Sequence, residues 1–318
     1  MILVTGATGF VGQAVIDGLI SAAYDVRACS RQVDVVFHPS VRLFHTGELS
    51  ENSDWQQALQ DVDEVIHLAA RVHIMAEVAT DPLTEFRKVN TDATLNLARQ
   101  AADAGVKRFV FISSIKVNGE DTNSGTKFSP DDDFVPTDPY GLSKYEAEQG
   151  LLDLAKTTGM EVVIIRPPLV YGPGVRANFL SMIKWINKGV PLPLGAVHNQ
   201  RSLVALDNLV SFIIHSVKHP KAANEVFLIS DGEDVSTTEL LNKVANAFGK
   251  KAFLLPVPVG LMKLAAKLVG KGDVADRLFG SLQVDSSKAR ELLNWKPVIT
   301  MDEQLKKTVE AYLNEKTI

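Results

Sequence analysis

The chain has 318 residues, 46% of them hydrophobic and 22% charged, which is ample for a sizeable core in one large domain or two lobes. Its formal net charge is −5 and it holds no basic tract, so nucleic acid is excluded as an expected partner. A single cysteine, Cys29, excludes an internal disulfide and points to a reducing, cytoplasmic setting.

Met1 to Thr5 is a short apolar run that reads as a buried strand. With a strand opening at Met1, no signal peptide is expected ahead of the fold. Gly6-Ala7-Thr8-Gly9-Phe10-Val11-Gly12 follows at once and leads into the periodic segment Gln13 to Ser21. In a strand, glycine turn and helix of this kind, Gly6 allows the tight turn and Gly9 lets a pyrophosphate approach the helix N-terminus. Gly12 lets helix and strand pack closely. The spacing is Gly-x-x-Gly-x-x-Gly, not the commoner Gly-x-Gly-x-x-Gly.

Tyr24 to Ser30 reads as a second strand, with Cys29 as a small buried side chain. Where that strand ends, a carboxylate would pair with the ribose hydroxyls of NAD, but this chain has Ser30-Arg31 and no acid. A hydroxyl and a guanidinium favour a phosphate, so NADP is slightly preferred and NAD stays open. Trp55 to Leu59 is predicted as a short helix, Glu64 to Ala69 as a strand, Phe86 to Ala104 as a long helix, and Phe109 to Ser113 as a strand. A helix over Tyr140 to Thr157 and a strand over Glu161 to Arg166 complete the alternation. Such alternation calls for an α/β fold, a parallel sheet with helices on both faces, whose ligands bind beyond the carboxyl ends of the strands.

Tyr140-Gly141-Leu142-Ser143-Lys144 sets a phenol and an ammonium four residues apart, on one face of a helix. A tyrosine titrates near pH ~10, and a cation one turn away would favour its ionised form, making the pair a candidate acid/base unit. After Arg166 the pattern loosens through Pro167-Pro168 and Gly172-Pro173-Gly174. Ser202 to Asp207 and Glu225 to Ser230 still read as strands that bring the chain back to the sheet, between excursions into a smaller mixed lobe. The expected division is 1–167 plus 202–231 for the first lobe and 168–201 plus 232–318 for the second. Ser236-Thr237-Thr238-Glu239 is a capping box, and Asp285-Ser286-Ser287 likewise precedes a helix from Lys288 to Leu293. Ala252 to Val269, the most apolar later stretch, is interrupted by Pro256, Pro258, Lys263 and Lys267. It reads as a loop and an amphipathic helix, so no membrane partner is expected. The seven histidines are scattered without ligand spacing, so no metal site is expected. His67 reads as a packed core residue and His73 as a neighbour of the substrate pocket.

Gly6, Gly9, Gly12, Ser114, Tyr140 and Lys144 together resemble the extended short-chain dehydrogenase/reductases, and among them the nucleotide-sugar epimerase/dehydratase family. Further matches are His67-Leu68-Ala69-Ala70, Ser113-Ser114 before Val117-Asn118-Gly119, Pro139-Tyr140-Gly141, Arg166-Pro167 and Val170-Tyr171-Gly172-Pro173. Leu292-Leu293-Asn294-Trp295-Lys296-Pro297 looks like the family's closing helix. The resemblance covers nearly the whole chain and implies a Rossmann-type doubly wound parallel sheet with a smaller, mixed C-terminal substrate lobe.

By position in that family, Tyr140 is implied as the acid/base that takes the sugar hydroxyl proton while hydride passes to a nicotinamide. Lys144 is implied to hold the nicotinamide ribose and keep the phenol acidic, and Ser114 to hydrogen-bond the reacting oxygen. The resemblance implies a dinucleotide contact by Gly6, Thr8, Gly9, Phe10, Val11, Gly12, Ser30 and Arg31. It implies the same of Glu48, Leu49, Leu68, Ala69, Ala70, Asn90, Ser113 and Pro167. Substrate contacts are implied for Arg71, Ser114, Tyr140, Asn178, Arg201 and Arg277, the arginines as forks for diphosphate oxygens. Leu169 stands where many sugar epimerases carry an asparagine. Ile115-Lys116 stand where the 4,6-dehydratases carry an Asp-Glu pair, which disfavours dehydration. The family reading is therefore an enzyme, first a UDP-sugar 4-epimerase. The alternatives are an NADPH-dependent 4-ketoreductase of surface-polysaccharide synthesis and a non-catalytic dinucleotide-sensing regulator. Helices Phe86 to Ala104 and Tyr140 to Thr157 are implied to pair in a homodimer.

Overall fold

The structure, a computed structural model, describes residues 1–72, 81–123, 125–268, 270 and 272–315, without the side chains of 273, 274 and 277. In chain order it runs β1 (Ile2–Thr5), α1 (Phe10–Ser21), β2 (Val26–Ser30), β3 (Arg42–His45), β4 (Glu64–His67) and α2 (Pro82–Arg87). A π-helical turn, Lys88–Asp92, then leads directly into α3 (Ala93–Asp103). There follow β5 (Arg108–Ile112), a 3₁₀ turn Ile115–Val117, α4 (Pro139–Thr158), β6 (Glu161–Arg166), β7 (Leu169–Tyr171), α5 (Ala177–Lys188), β8 (Arg201–Ala205), α6 (Leu206–Lys218) and β9 (Glu225–Leu228). The chain ends through β10 (Asp234–Val235), α7 (Thr237–Ala247), α8 (Val259–Leu268), α9 (Gly272–Phe279), α10 (Ser287–Leu293) and α11 (Met301–Glu315).

Seven strands form one parallel sheet in the order β3-β2-β1-β4-β5-β6-β9. The order reverses between β1 and β4, and that switch point opens a crevice at the carboxyl ends of these two strands. Both faces of the sheet are covered, and the alternation of side chains along each strand decides which residue goes where. Ile2, Val4, Val110, Val163 and Ile165 join α1 and α6 in one core. Leu3, Phe109, Phe111, Val162 and Ile164 join α3 and α4 in the other.

A second sheet of three strands, β10-β8-β7, has β7 and β8 parallel and β8 and β10 antiparallel. It carries a separate core with α5, α7 and α11, centred on Tyr171, Phe179, Leu241 and Leu305. The doubly wound sheet with a smaller mixed C-terminal layer is thus as expected, but three local expectations are corrected. The strand predicted over Ser202 to Asp207 does not rejoin the large sheet, because β8 pairs with β7 and β10; β9 does rejoin it. Trp55 to Leu59 is a turn whose one helical bond, Leu59 N–H to the Trp55 carbonyl at 2.9 Å, holds the indole in the core without propagating. The helix expected after Asp285-Ser286-Ser287 forms as α10, with Asp285 accepting the Ser287 amide at 2.9 Å in the turn before it and Ser286 at the N-cap making no side-chain cap. The segment ending at Pro297 is not the last helix either, since α11 follows and buries Met301 and Leu305. The capping box of α7 forms in full: Ser236 accepts the Glu239 amide, and Glu239 accepts the Ser236 amide at 2.7 Å.

Candidate active site

The glycine turn joins β1 to α1. Gly6 has φ +68°, a left-handed conformation, and a Cβ there would lie 2.7 Å from the Ala69 amide nitrogen beyond β4. A Cβ on Gly12 would lie 2.1 Å from the Gly6 carbonyl oxygen, so the helix can approach the turn only as glycine. Gly9 is the N-cap of α1 and no side chain caps it, which leaves the amides of Phe10, Val11 and Gly12 at the switch point for an anion. Across the crevice, the buried Ser113 Oγ at the end of β5 has no protein partner, although a buried hydroxyl without a hydrogen bond is costly. A backbone cradle, an uncapped helix start and an orphaned hydroxyl at the strand ends suit a dinucleotide diphosphate and its nicotinamide half. Thr8, Leu68, Ala69, Ala70 and Pro167 lie along the same strand ends, beyond β1, β4 and β6.

Tyr140 and Lys144 come from the first turns of α4. Asp138 caps that helix by accepting the Gly141 amide at 3.1 Å, with Pro139 at the first helical position. Lys144 is 1% exposed; its Nζ donates to the Ile112 carbonyl at 2.9 Å and lies 4.4 Å from the centre of the Phe111 ring. Burial pulls its ammonium down to about 7, against the attraction of Glu148 one turn further on. Glu148 is in turn paired with Arg166, whose Nε lies 3.0 Å from the carboxylate and whose Nη1 donates to Asn118 at 3.0 Å. Burial pushes the Tyr140 phenol up to about 12; hydrogen bonding with the Ser114 hydroxyl opposes that shift, and the Asp138 carboxylate adds to it. In this structure the ammonium is turned to the Ile112 carbonyl, and Ser114 is the group that lowers the phenol.

Ser114 caps the 3₁₀ turn at Ile115–Val117, accepting the Lys116 amide at 3.3 Å. Phe86 meets Tyr140 edge-on at 5.8 Å between ring centres, and the Arg71 guanidinium lies 5.6 Å from the centre of the Phe86 ring. Arg71 is thus one ring away from the phenol. Asn90 is fully buried and its amide is consumed within the protein: Oδ1 accepts the Arg71 amide at 2.8 Å, while Nδ2 donates to the Arg71 carbonyl and to Ser143 Oγ, both at 3.0 Å. Those bonds tie the segment after β4 to α4. His67 is a core residue as expected, between Thr5 at 2.7 Å and Thr94 at 2.9 Å, and burial beside Lys144 holds its imidazole neutral at about 3.

Other expected residues are placed less tellingly. The Ser30 hydroxyl is engaged with its own turn, accepting the Gln32 amide at 2.9 Å and donating to the Gln32 carbonyl at 3.0 Å, while Arg31 is exposed. Glu48 is exposed, and Leu49 packs against the core beside Trp55. Asn178 is exposed at the start of α5, and Arg201 opens β8 with Nη1 donating to the Gly280 carbonyl at 3.2 Å. The Arg277 side chain and His73 lie outside the described residues. Sequence reading missed Asp138, Phe86 and Phe111. An aspartate directly before a proline at a helix start is a readable cap, whereas the two rings gave no local signal.

Residues 2–230 match the model of the NAD dependent epimerase/dehydratase family. The chain belongs to that family. It is similar to a UDP-glucose 4-epimerase of Vibrio cholerae, 50% identical over 314 residues that cover 98% of this chain and 95% of the relative. It is also similar to an N-acetyl-alpha-D-glucosaminyl-diphospho-ditrans,octacis-undecaprenol 4-epimerase of Escherichia coli O157:H7, 29% identical, covering 85% of this chain and 81% of the relative. Among solved structures, UDP-glucuronic acid 4-epimerase from Bacillus cereus in complex with NAD shares the fold at 23% identity, with a TM-score of 0.78 over 98% of both chains. UDP-glucose 4-epimerase from Thermotoga maritima, solved with UDP-glucose, has a TM-score of 0.74 at 25% identity over 99% of both chains. The chain is an NAD-dependent enzyme of the extended short-chain dehydrogenase/reductase type, and the slight preference for NADP drawn from Arg31 finds no support in this family.

Proposed function

We propose that this enzyme is a UDP-sugar 4-epimerase that keeps its NAD bound through turnover. The observation that carries the reading is the convergence of Ser114, Tyr140 and Lys144 at the strand ends beside the glycine cradle. The Vibrio cholerae relative supplies the substrate class. The bound dinucleotide supplies a hydride acceptor and donor. Tyr140, in its ionised form, would take the proton of the sugar 4-hydroxyl on Oη and as the phenol return it to the same oxygen, while Ser114 Oγ hydrogen-bonds that oxygen and fixes its distance from the phenol. Lys144, with a proton affinity close to neutral, holds the ribose and completes the path by which the phenol is recharged. Arg71, Asn178, Arg201 and Arg277 hold the nucleotide-sugar diphosphate. Dehydration is disfavoured, because Ile115 is buried and Lys116 is bound to Glu120 at 2.6 Å and Asp138 at 3.3 Å, where elimination would need two acids.

The dinucleotide lobe consists of the large sheet with α1, α3, α4 and α6, and the sugar lobe of the small sheet with α5, α7 and α11. A homodimer through α3 and α4, working in the cytoplasm, completes the reading. A second reading, a one-way 4-ketoreductase using NADPH, would have Arg31 beyond β2 hold the extra phosphate. One experiment separates them: the nucleotide retained by the purified protein is identified, and UDP-sugars are then offered. Retained NAD with interconversion of UDP-glucose and UDP-galactose and no net consumption supports epimerisation. Stoichiometric NADPH loss on a UDP-4-keto sugar replaces it with reduction.

A further inference from the structure

The acidic residues of this chain are unevenly placed. Residues 162–206 and 250–272 contain no aspartate or glutamate, in a protein whose formal net charge is −5. From β7 onward the first stretch, and the second with it, belongs to the small-sheet layer, and both present large apolar side chains to solvent.

On α5, Phe179, Ile183 and Ile186 face the core. Lys184, Trp185 and Lys188 share the opposite side and are exposed, the indole at 45%. The 250–255 segment lies directly against this helix: Lys250 Nζ donates to Asn187 Oδ1 at 2.8 Å, and the Leu192 amide to the Phe253 carbonyl at 2.9 Å. Leu254 packs inward and Phe253 outward, 56% exposed.

The same chain enters α8 through Pro256 and Pro258. Val259 and Met262 turn α8 to the core. Leu261, Leu264 and Leu268 form a stripe on the far side at 61%, 58% and 81% exposure. Lys263 and Lys267 flank that stripe one turn apart; Lys263 is shared with Asp276 at 2.8 Å. A monomer rarely exposes a leucine stripe of this kind to water without a partner.

We infer that the face formed by α8, Phe253 and the outer side of α5 docks the enzyme on an anionic lipid bilayer surface. Leucines on one side of a short helix, lysines along its flank and a tryptophan nearby are what an in-plane interfacial helix requires. The leucines enter the acyl boundary, the lysines reach lipid phosphates on their flexible stems, and the indole settles at headgroup depth. Charge complementarity selects this occupant over a second copy of the chain, because two such faces would oppose Lys184, Lys188 and Lys267, while the acid at the stripe, Asp276, is already bound to Lys263. Docking differs from spanning: among the described residues no helix is long and apolar enough to cross a membrane.

The test is co-flotation of the full-length protein with vesicles of phosphatidylcholine and phosphatidylglycerol, compared with pure phosphatidylcholine. Binding to the anionic vesicles at low ionic strength, falling by about tenfold or more as salt screens the lysines, is expected. Leu261→Ser with Leu264→Ser, and separately Lys184→Glu with Lys188→Glu, should each lower that binding about tenfold and leave turnover of a soluble UDP-sugar unchanged. The lysine pair lies wholly on the surface and keeps the test valid if the leucine variant folds poorly. Absence of binding to anionic vesicles at low salt overturns the inference, as does equal binding to both lipid compositions or undiminished binding by the lysine variant. A leucine variant that falls from dimer to monomer would make this face a subunit interface and overturn it too.

Discussion

Burial separates the two central titrating groups, with the Lys144 ammonium held down to about 7 and the Tyr140 phenol pushed up to about 12. Above about pH 7 the folded chain releases a proton from Lys144 that the unfolded chain keeps until the ordinary lysine range. Stability therefore rises with pH across that window, and the cost of burying the ammonium is present in full below it. Lys144→Met should remove that slope and raise the stability of the ligand-free protein below about pH 7 by a few kcal/mol, while abolishing turnover. Thermal unfolding followed from neutral to alkaline pH measures this directly. Tyr140→Phe deletes only the proton-transfer oxygen, so dinucleotide binding should persist while kcat falls by about 10²–10⁴. A variant with near-normal kcat would remove the phenol from the mechanism. The sequence marked both residues by their spacing on one helix face. It could not reveal that Lys144 turns to the Ile112 carbonyl, since that atom belongs to a strand brought alongside by the sheet.

At the scale of the element, α4 is held at its start and its middle. Asp138 is both its N-cap and the carboxylate that raises the phenol, so its two roles can be separated. Asp138→Asn keeps a capping oxygen and loses the charge; melting should be nearly unchanged, and the rising limb of the pH–rate profile, set by ionisation of the Tyr140 base, should move to lower pH. Asp138→Ala loses the cap as well and should cost a further ~1 kcal/mol in melting. Equal profiles for the two variants and the parent would exclude the carboxylate from tuning Tyr140. Further along, Glu148 is fully buried against Arg166, and that pair joins α4 to the end of β6. Glu148→Ala leaves a guanidinium uncompensated in the core and should cost about 3–5 kcal/mol in denaturant unfolding. The capping box at Ser236 and the amphipathic α8 were legible because both are local patterns. The turn at Trp55 was not, because one indole buried between α3 and the sheet outweighs the helical propensity of its neighbours.

Across the whole molecule, the glycine turn lies at the switch point between β1 and β4, Lys144 reaches the end of β5, and the small sheet carries its own core. If α3 and α4 pair with their counterparts in a second subunit, light scattering at micromolar protein should give a dimer mass. A monomer mass would exclude the pairing. The sequence by itself determined the alternation that requires a parallel sheet, the glycine turn, and the order of Ser114, Tyr140 and Lys144 along the chain. All of these are signals carried by neighbours within a few turns. Tertiary structure alone decided that β8 leaves the large sheet, that Asn90 spends its amide on Arg71 and Ser143, and that the phenol answers to Ser114 and Asp138 more than to Lys144. Each of those outcomes depends on which distant backbone group arrives within hydrogen-bonding distance and on how much water is excluded when it does, and neither is written in local spacing.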